Sequence, residues 1–221
     1  MSLGSYSETR AGHGLISLQV SSSDLLAFAE FSRQVPKAAA NAQRRAINKT
    51  LGWLRTHIAR EVGRKEGIAM RAVRQRLRAY SVKGASTKGK LWFGLNALEA
   101  SRTGRARQTT SGVSVGRRRY AGAFYKTVYG GKDDIWIRTT SKHFKASDYP
   151  DSEVSKASGV SSGWISENDS RFPLAKAKVS IEDAQSSFDT WVRKADARLL
   201  EIFKQEMNFE LQKYLRGNAR G

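Results

Sequence analysis

The chain has 221 residues, 39% of them hydrophobic and 10% aromatic, which suffices for a packed core and excludes wholesale disorder. It has no cysteine, which excludes disulfide frameworks and thiolate metal sites, and no apolar run approaches the roughly 18 residues needed to span a bilayer. Its formal charge is +19 and the excess is regional: Arg33 to Arg107 holds 19 Lys or Arg against three acids, Glu61, Glu66 and Glu99, a local balance of +16. Such a field favours a polyanionic neighbour, whether nucleic acid, an anionic membrane or an acidic protein surface.

Residues 1–14 are polar, lack the apolar stretch of a secretory signal, and are expected to form a flexible arm. Leu15 to Val20 alternates as a short opening strand. Ser21, Ser22, Ser23 and Asp24 offer oxygens that cap a first helical turn, so a short helix is expected through Phe31. Pro36 suits the first position of a longer helix, where its missing N–H has no intrahelical partner to lose. Ile47, Leu51, Leu54, Ile58 and Val62 recur at three- and four-residue steps and predict one buried stripe along it. Gly63 and Gly67 frame a break, and Met70 to Tyr80 reads as a third helix with Val73 and Leu77 inward.

After Tyr80 the period becomes that of strands. Lys90 to Leu95, Gly112 to Val115, Ala123 to Tyr125 and Asp134 to Thr139 are expected strands. A basic, Ser/Thr-rich link runs from Glu99 to Ser111, and Tyr129 to Asp133 reads as a glycine turn. Residues 140–170, rich in Ser, Lys, Asp and Gly, predict a long polar loop. Phe172 to Ile181 reads as a last strand, with Pro173 at its start or on an edge.

Glu182 to Arg216 is the final helix. Trp191 or Val192, Ala195, Leu199, Phe203, Met207, Leu211 and Leu215 trace its apolar face, and Gly217 marks its stop, leaving 217–221 as a tail. Helices, then strands, then a helix, without βαβ alternation, predict one α+β domain over 15–216. It would comprise N-terminal helices, an antiparallel β-sheet and a long C-terminal helix packed on that sheet.

Catalytic chemistry is sparse in the sequence. His13, His57 and His143 fall in a tail, a basic helix and a polar loop, and none stands at metal-ligand spacing to another His or a carboxylate pair. His57 precedes the stripe position Ile58 and reads as a packing or boundary residue. Asp133 and Asp134 abut a glycine turn and read as solvated. Gly112-Val-Ser-Val-Gly116 has the outline of a nucleophile elbow, but Arg117, Arg118 and Arg119 follow where the elbow needs a helix. There is no Gly-rich loop ending in Lys-Ser or Lys-Thr. No enzyme, cofactor or metal is expected.

Arg44, Arg45, Arg55, Arg60, Arg64, Arg71, Arg74, Arg76 and Arg78, with Arg117, Arg118 and Arg119, are the candidate DNA- or partner-facing bases. Each that neutralises a phosphate adds counterion-release affinity and salt dependence. The competing reading is a solvated face with exposed ion pairs worth about 0–1 kcal/mol each. That reading needs a counter-charge, and residues 148–213 hold 12 acids against nine bases, mostly on the final helix. Asp183, Asp189 and Asp196 are therefore candidate subunit-contact acids in a ring of heterologous contacts. The Pro36–Tyr80 segment also permits a helix-turn-helix reading, but Gln75 is the one residue near the arginines suited to reading base edges. Backbone tracking fits better than operator recognition.

The run Val35-Pro-Lys-Ala-Ala-Ala-Asn-Ala-Gln-Arg-Arg-Ala-Ile-Asn-Lys-Thr50, then Arg55, Glu61 and Arg71 to Arg78, resembles the N-terminal half of the phage minor tail protein Z family. Gly112-Val-Ser-Val-Gly116, Gly122-Ala-Phe124, Ile135-Trp-Ile-Arg138 and Arg171-Phe-Pro-Leu174 follow in the matching order. The insert from Thr140 to Ser170 is longer than that pattern has. The resemblance implies a structural tail-completion or neck protein of a long-tailed phage or prophage. It would sit in the virion at the tail–neck junction, and in the host cytoplasm during assembly. Implied partners are the tail terminator, tail tube, head-closure or connector proteins, the phage DNA end, and further copies in a homo-oligomeric ring, with no membrane. The alternative is a free protein that binds nucleic acid nonspecifically through an Arg-rich helical face.

Overall fold

The structure is a computed structural model that describes residues 6–10, 13–18, 30, 33–84, 87–128, 132–149, 153–154, 161–162 and 174–218. The fold is mixed α+β, with several antiparallel sheets and a long C-terminal helix packed on strands. Residues 15–216, read from sequence as one domain, divide into two compact units. The first comprises Met1–Glu61, Arg74–Gly94 and Gln185–Gly221; the second comprises Val62–Val73 and Leu95–Ala184.

The first unit is built on an antiparallel sheet of β1 (Tyr6–Arg10), β2 (His13–Leu18), β3 (Leu77–Tyr80) and β4 (Gly89–Gly94), in the order β1-β2-β4-β3. Within the arm expected over residues 1–14, Tyr6 to Arg10 pairs along the whole of His13 to Ser17, while residues 1–5 and 11–12 lie outside the described residues. Helix α1 (Pro36–Lys65) opens at the proline as expected, and Ile47, Leu51, Leu54, Ile58 and Val62 are all buried. The short helix expected up to Phe31 lies outside the described residues except at Glu30.

Helix α2 (Met70–Arg76) is shorter than the expected Met70–Tyr80. Leu77 to Tyr80 instead pairs with β4, Leu77 opposite Phe93 and Ala79 opposite Leu91. Val73 and Leu77 fit a helical stripe, but Leu77 is equally buried as a strand residue, and strand pairing satisfies the backbone there. Helix α3 (Ala184–Asn218) crosses the same sheet face. A Cβ on Gly89 would strike Ile47 and Leu51 of α1, and one on Gly14 would strike Phe188 of α3. Phe188 also packs on Phe93 with ring centroids 5.7 Å apart. Gly217 does not stop α3, which continues through it to Asn218.

In the second unit the end of α1 turns back on itself. Gly67 adopts φ +61 and the Ile68 N–H donates to the Gly63 carbonyl at 2.9 Å, a Schellman-type C-cap. A Cβ on Gly63 would lie 2.9 Å from the Ile68 carbonyl oxygen, so both glycines of the expected break are required by the turn.

The single sheet expected for the strands resolves into several small ones. β5 (Leu98–Glu99), β6 (Ala106–Thr109), β7 (Gly112–Val115), β8 (Arg118–Ala121), β9 (Phe124–Lys126) and β10 (Asp134–Arg138) follow in order. Next come β11 (Glu153–Val154), β12 (Ser161–Ser162), β13 (Leu174–Lys176) and β14 (Lys178–Val179). β6-β7-β8 form a meander, β13-β10-β9 a second sheet, and β14-β5 and β11-β12 are short pairs. The last expected strand breaks at Ala177, which donates to Ile135 and accepts from Ala100 as the chain changes sheets. The start at Pro173 and the turn at 129–131 lie outside the described residues. The expected polar loop is not free at its start: Phe144 stacks on Tyr149, and fully buried Tyr149 meets Tyr120 edge-on. Burial raises the Tyr120 hydroxyl to a pKa of about 12, with Asp148 adding to the rise against Arg118.

Candidate polyanion-binding surfaces

In the first unit α1 and α3 run antiparallel and share a polar and aromatic seam. At one end the Arg45 guanidinium reaches Glu206 and Glu210, each at 2.5 Å, and the Lys49 ammonium reaches the other Glu206 oxygen. Both carboxylates are almost wholly buried. Desolvation opposes the Arg45 charge, but hydrogen bonds and charge contacts with Glu206 and Glu210 outweigh it and raise the pKa. Burial likewise pushes Glu206 up, yet Lys49 and Arg45 hold its carboxyl below the ordinary glutamate range. At the other end Trp53, His57 and Trp191 cluster with centroids 4.8 to 5.2 Å apart, and the Trp191 N–H donates to Glu61 at 2.6 Å. Burial, then Arg60, Arg198 and Lys194, lowers the His57 pKa. His57 is a boundary residue that prefers to stay neutral.

Three of the candidate arginines therefore serve the fold. Arg45 is clasped by two acids. Arg55 donates to the Arg74 carbonyl at the end of α2, 3.2 Å away. Arg118, in the second unit, donates to the Glu66 and Gly67 carbonyls at 2.7 and 3.2 Å and so closes the C-terminus of α1. Arg44, Arg60, Arg74 and Arg78 in the first unit, and Arg71, Arg117 and Arg119 in the second, are exposed. Among the described residues Arg44 meets Asn41 alone, and Arg119 bonds carbonyls of its own turn, Gly116 and Arg118. Arg44 and Arg60 are 16 residues apart, about 160° around the helix axis. The helix thus carries no continuous arginine face.

The sheets carry basic faces that sequence reasoning missed. In the second unit the meander buries Val113, Val115 and Tyr120 on one side. Its other side sets Arg107, Ser114 and Arg119 in one cross-strand row. In the first unit the sheet face away from Ile16, Leu91 and Phe93 carries Arg78 opposite Trp92 and Tyr80 opposite Lys90. The signal for both was alternation of cations with rings or hydroxyls at strand period, but β3, β6 and β8 were not recognised as strands.

Asp183 belongs to the second unit, whereas Asp189 and Asp196 lie seven residues apart on α3 in the first, Asp189 accepting from Gln185 at 2.8 Å. Glu206 and Glu210, which meet Arg45 and Lys49, were missed, although their i, i+4 spacing matches that of Arg45 and Lys49. Asp134, read as solvated, is buried at the head of β10, where Lys176 lies 2.5 Å away and Ser101 donates to it at 2.5 Å. It is a structural charge in a small network with Glu99.

Among the described residues no group of three His, Cys, Asp or Glu is placed to hold a metal ion, and no helix is long and apolar enough to cross a membrane. Compared with protein-family models, curated proteins and solved structures, the chain matches none.

Proposed function

We propose that this chain is a structural protein of a long-tailed phage or prophage particle. It completes the head-proximal end of the tail, helping to join tail to head and to position the DNA end for ejection. The observation that carries this reading is uncompensated charge. Arg60, Arg71, Arg74 and Arg117 are exposed and have no carboxylate partner among the described residues, while Glu206, Glu210 and Asp134 are used internally. A counter-charge from outside, DNA or an acidic neighbouring protein, would neutralise these arginines in an assembly. The exposed end of α3, with Leu211, Tyr214 and Leu215, supports a further contact between copies in a ring. The ordered family-like segments from Val35 to Leu174 support the location at the tail–neck junction.

Free nucleic-acid binding through an arginine helix face is less favoured, since Arg45 and Arg55 are turned to internal partners and Arg44 and Arg60 diverge. The test is deletion of the reading frame from the phage or prophage that carries it. Filled heads and unjoined or open tails, restored by the gene in trans, are expected under electron microscopy. Closed, infectious particles in normal yield would overturn the proposal.

A further inference from the structure

We propose that the β3–β4 end of the sheet face away from Leu91 and Phe93 binds single-stranded polynucleotide, with phosphates on Arg78 and Lys90 and bases on Tyr80 and Trp92. Cations and rings alternate on this face in both directions. Along β3 Arg78 is followed two residues later by Tyr80, and along β4 Lys90 by Trp92. Across the strands each cation stands opposite a ring, Arg78 with Trp92 and Lys90 with Tyr80. Tyr80 and Trp92 are diagonal neighbours, about 7–8 Å apart at the backbone. One flexible strand can reach both.

Tyr80 is exposed and Trp92 is half-buried. Tyr80 is 53% exposed, and Arg78 and Lys90 beside it are exposed as well. Trp92 lies flat along its own strand, because a Cβ at Gly94 would fall 2.6 Å from the indole. The Arg78 guanidinium stands 5.7 Å from the indole centroid, a loose cation–π contact that a phosphate could draw outward. Leu15, opposite Trp92 on β2, is half-buried and extends the apolar floor. The register carries Tyr6 of β1 into the Lys90–Tyr80 row and Glu8 into the Trp92–Arg78 row.

Flat rings between cations suit a partner that has both phosphates and accessible base faces. In a duplex the bases are already stacked and only phosphates remain to be met. In a single strand each base offers a π-face, and base–aromatic stacking tolerates any sequence. An acidic peptide would satisfy Arg78 and Lys90 but leave the rings without a role.

The test is fluorescence anisotropy of the purified full chain with labelled dT20 and rU20, against a 20-base-pair duplex and poly-glutamate. Tighter binding to a single strand than to the duplex is expected, and comparison of dT20 with rU20 reads whether the sugar matters. Tyr80→Ala, at an exposed position, is expected to weaken single-strand binding by about 5- to 150-fold, leaving its salt dependence unchanged. Arg78→Gln is expected to reduce the slope of log K against log salt by about 0.7. Trp92→Ala serves as a second ring variant, with circular dichroism confirming the fold of each. Equal binding of duplex and single strand, poly-glutamate binding as tight as dT20, or wild-type affinity in Tyr80→Ala and Trp92→Ala would each overturn the proposal. The assay contains no phage component, so its failure and that of the tail assignment are separate outcomes.

Discussion

Glu206 sits almost out of water between Arg45 and Lys49, and that placement ties its ionisation to folding. Its pKa is lower in the folded chain than in the unfolded one. The stabilisation is therefore complete above the ordinary glutamate value of about 4.3 and is lost as pH falls through the folded value. Glu206→Gln is expected to cost about 1.5–3 kcal/mol at neutral pH, the range for hydrogen bonds to charged groups. Its deficit should shrink on acidification to about pH 3, which urea titrations at the two pH values would reveal. Arg118 makes the complementary point. Its neighbours Arg117 and Arg119 in the same basic triplet face outward, yet its own guanidinium closes a helix through two carbonyls. Composition treats the three alike; only the tertiary fold separates them.

Helix α3 shows how far periodicity reads and where it stops. The apolar positions Ala195, Leu199 and Phe203 were visible in the sequence and are buried. Beyond Phe203 the buried positions pass to Glu206 and Glu210, while Leu211 and Leu215 of the same predicted face are exposed. The pattern identified an amphipathic helix but not the point at which its packing partner becomes charged. Phe203→Ala is expected to cost about 3–5 kcal/mol, whereas Leu215→Ala, 58% exposed, should stay within about 0.5 kcal/mol. Denaturant unfolding of the two variants checks the contrast. The α1 stripe and its glycine stop were equally readable, because both depend on local spacing and backbone freedom. β1, β3, β6 and β8 were not, since short edge and meander strands are specified by the neighbour they pair with rather than by their own few residues. For the same reason the two basic sheet faces escaped notice while the helical arginines attracted it.

The chain as a unit is a strongly positive body whose buried acids face inward. With a net charge of +19, copies repel at low ionic strength, so a ring of copies would need apolar contact to close. Light scattering of the purified chain in about 0.5 M salt, where repulsion is screened, is expected to give a multiple of 24.6 kDa. Leu211→Ser with Leu215→Ser should return it to a single chain. The carboxylate clasp on Arg45 and Lys49 sets the character of these encounters. By withdrawing Glu206 and Glu210 from the exterior, it removes two acids that a sibling's arginines could otherwise grip. Concentrated brine should then sort attachments by kind, washing away polyphosphate while oily seams between siblings tighten.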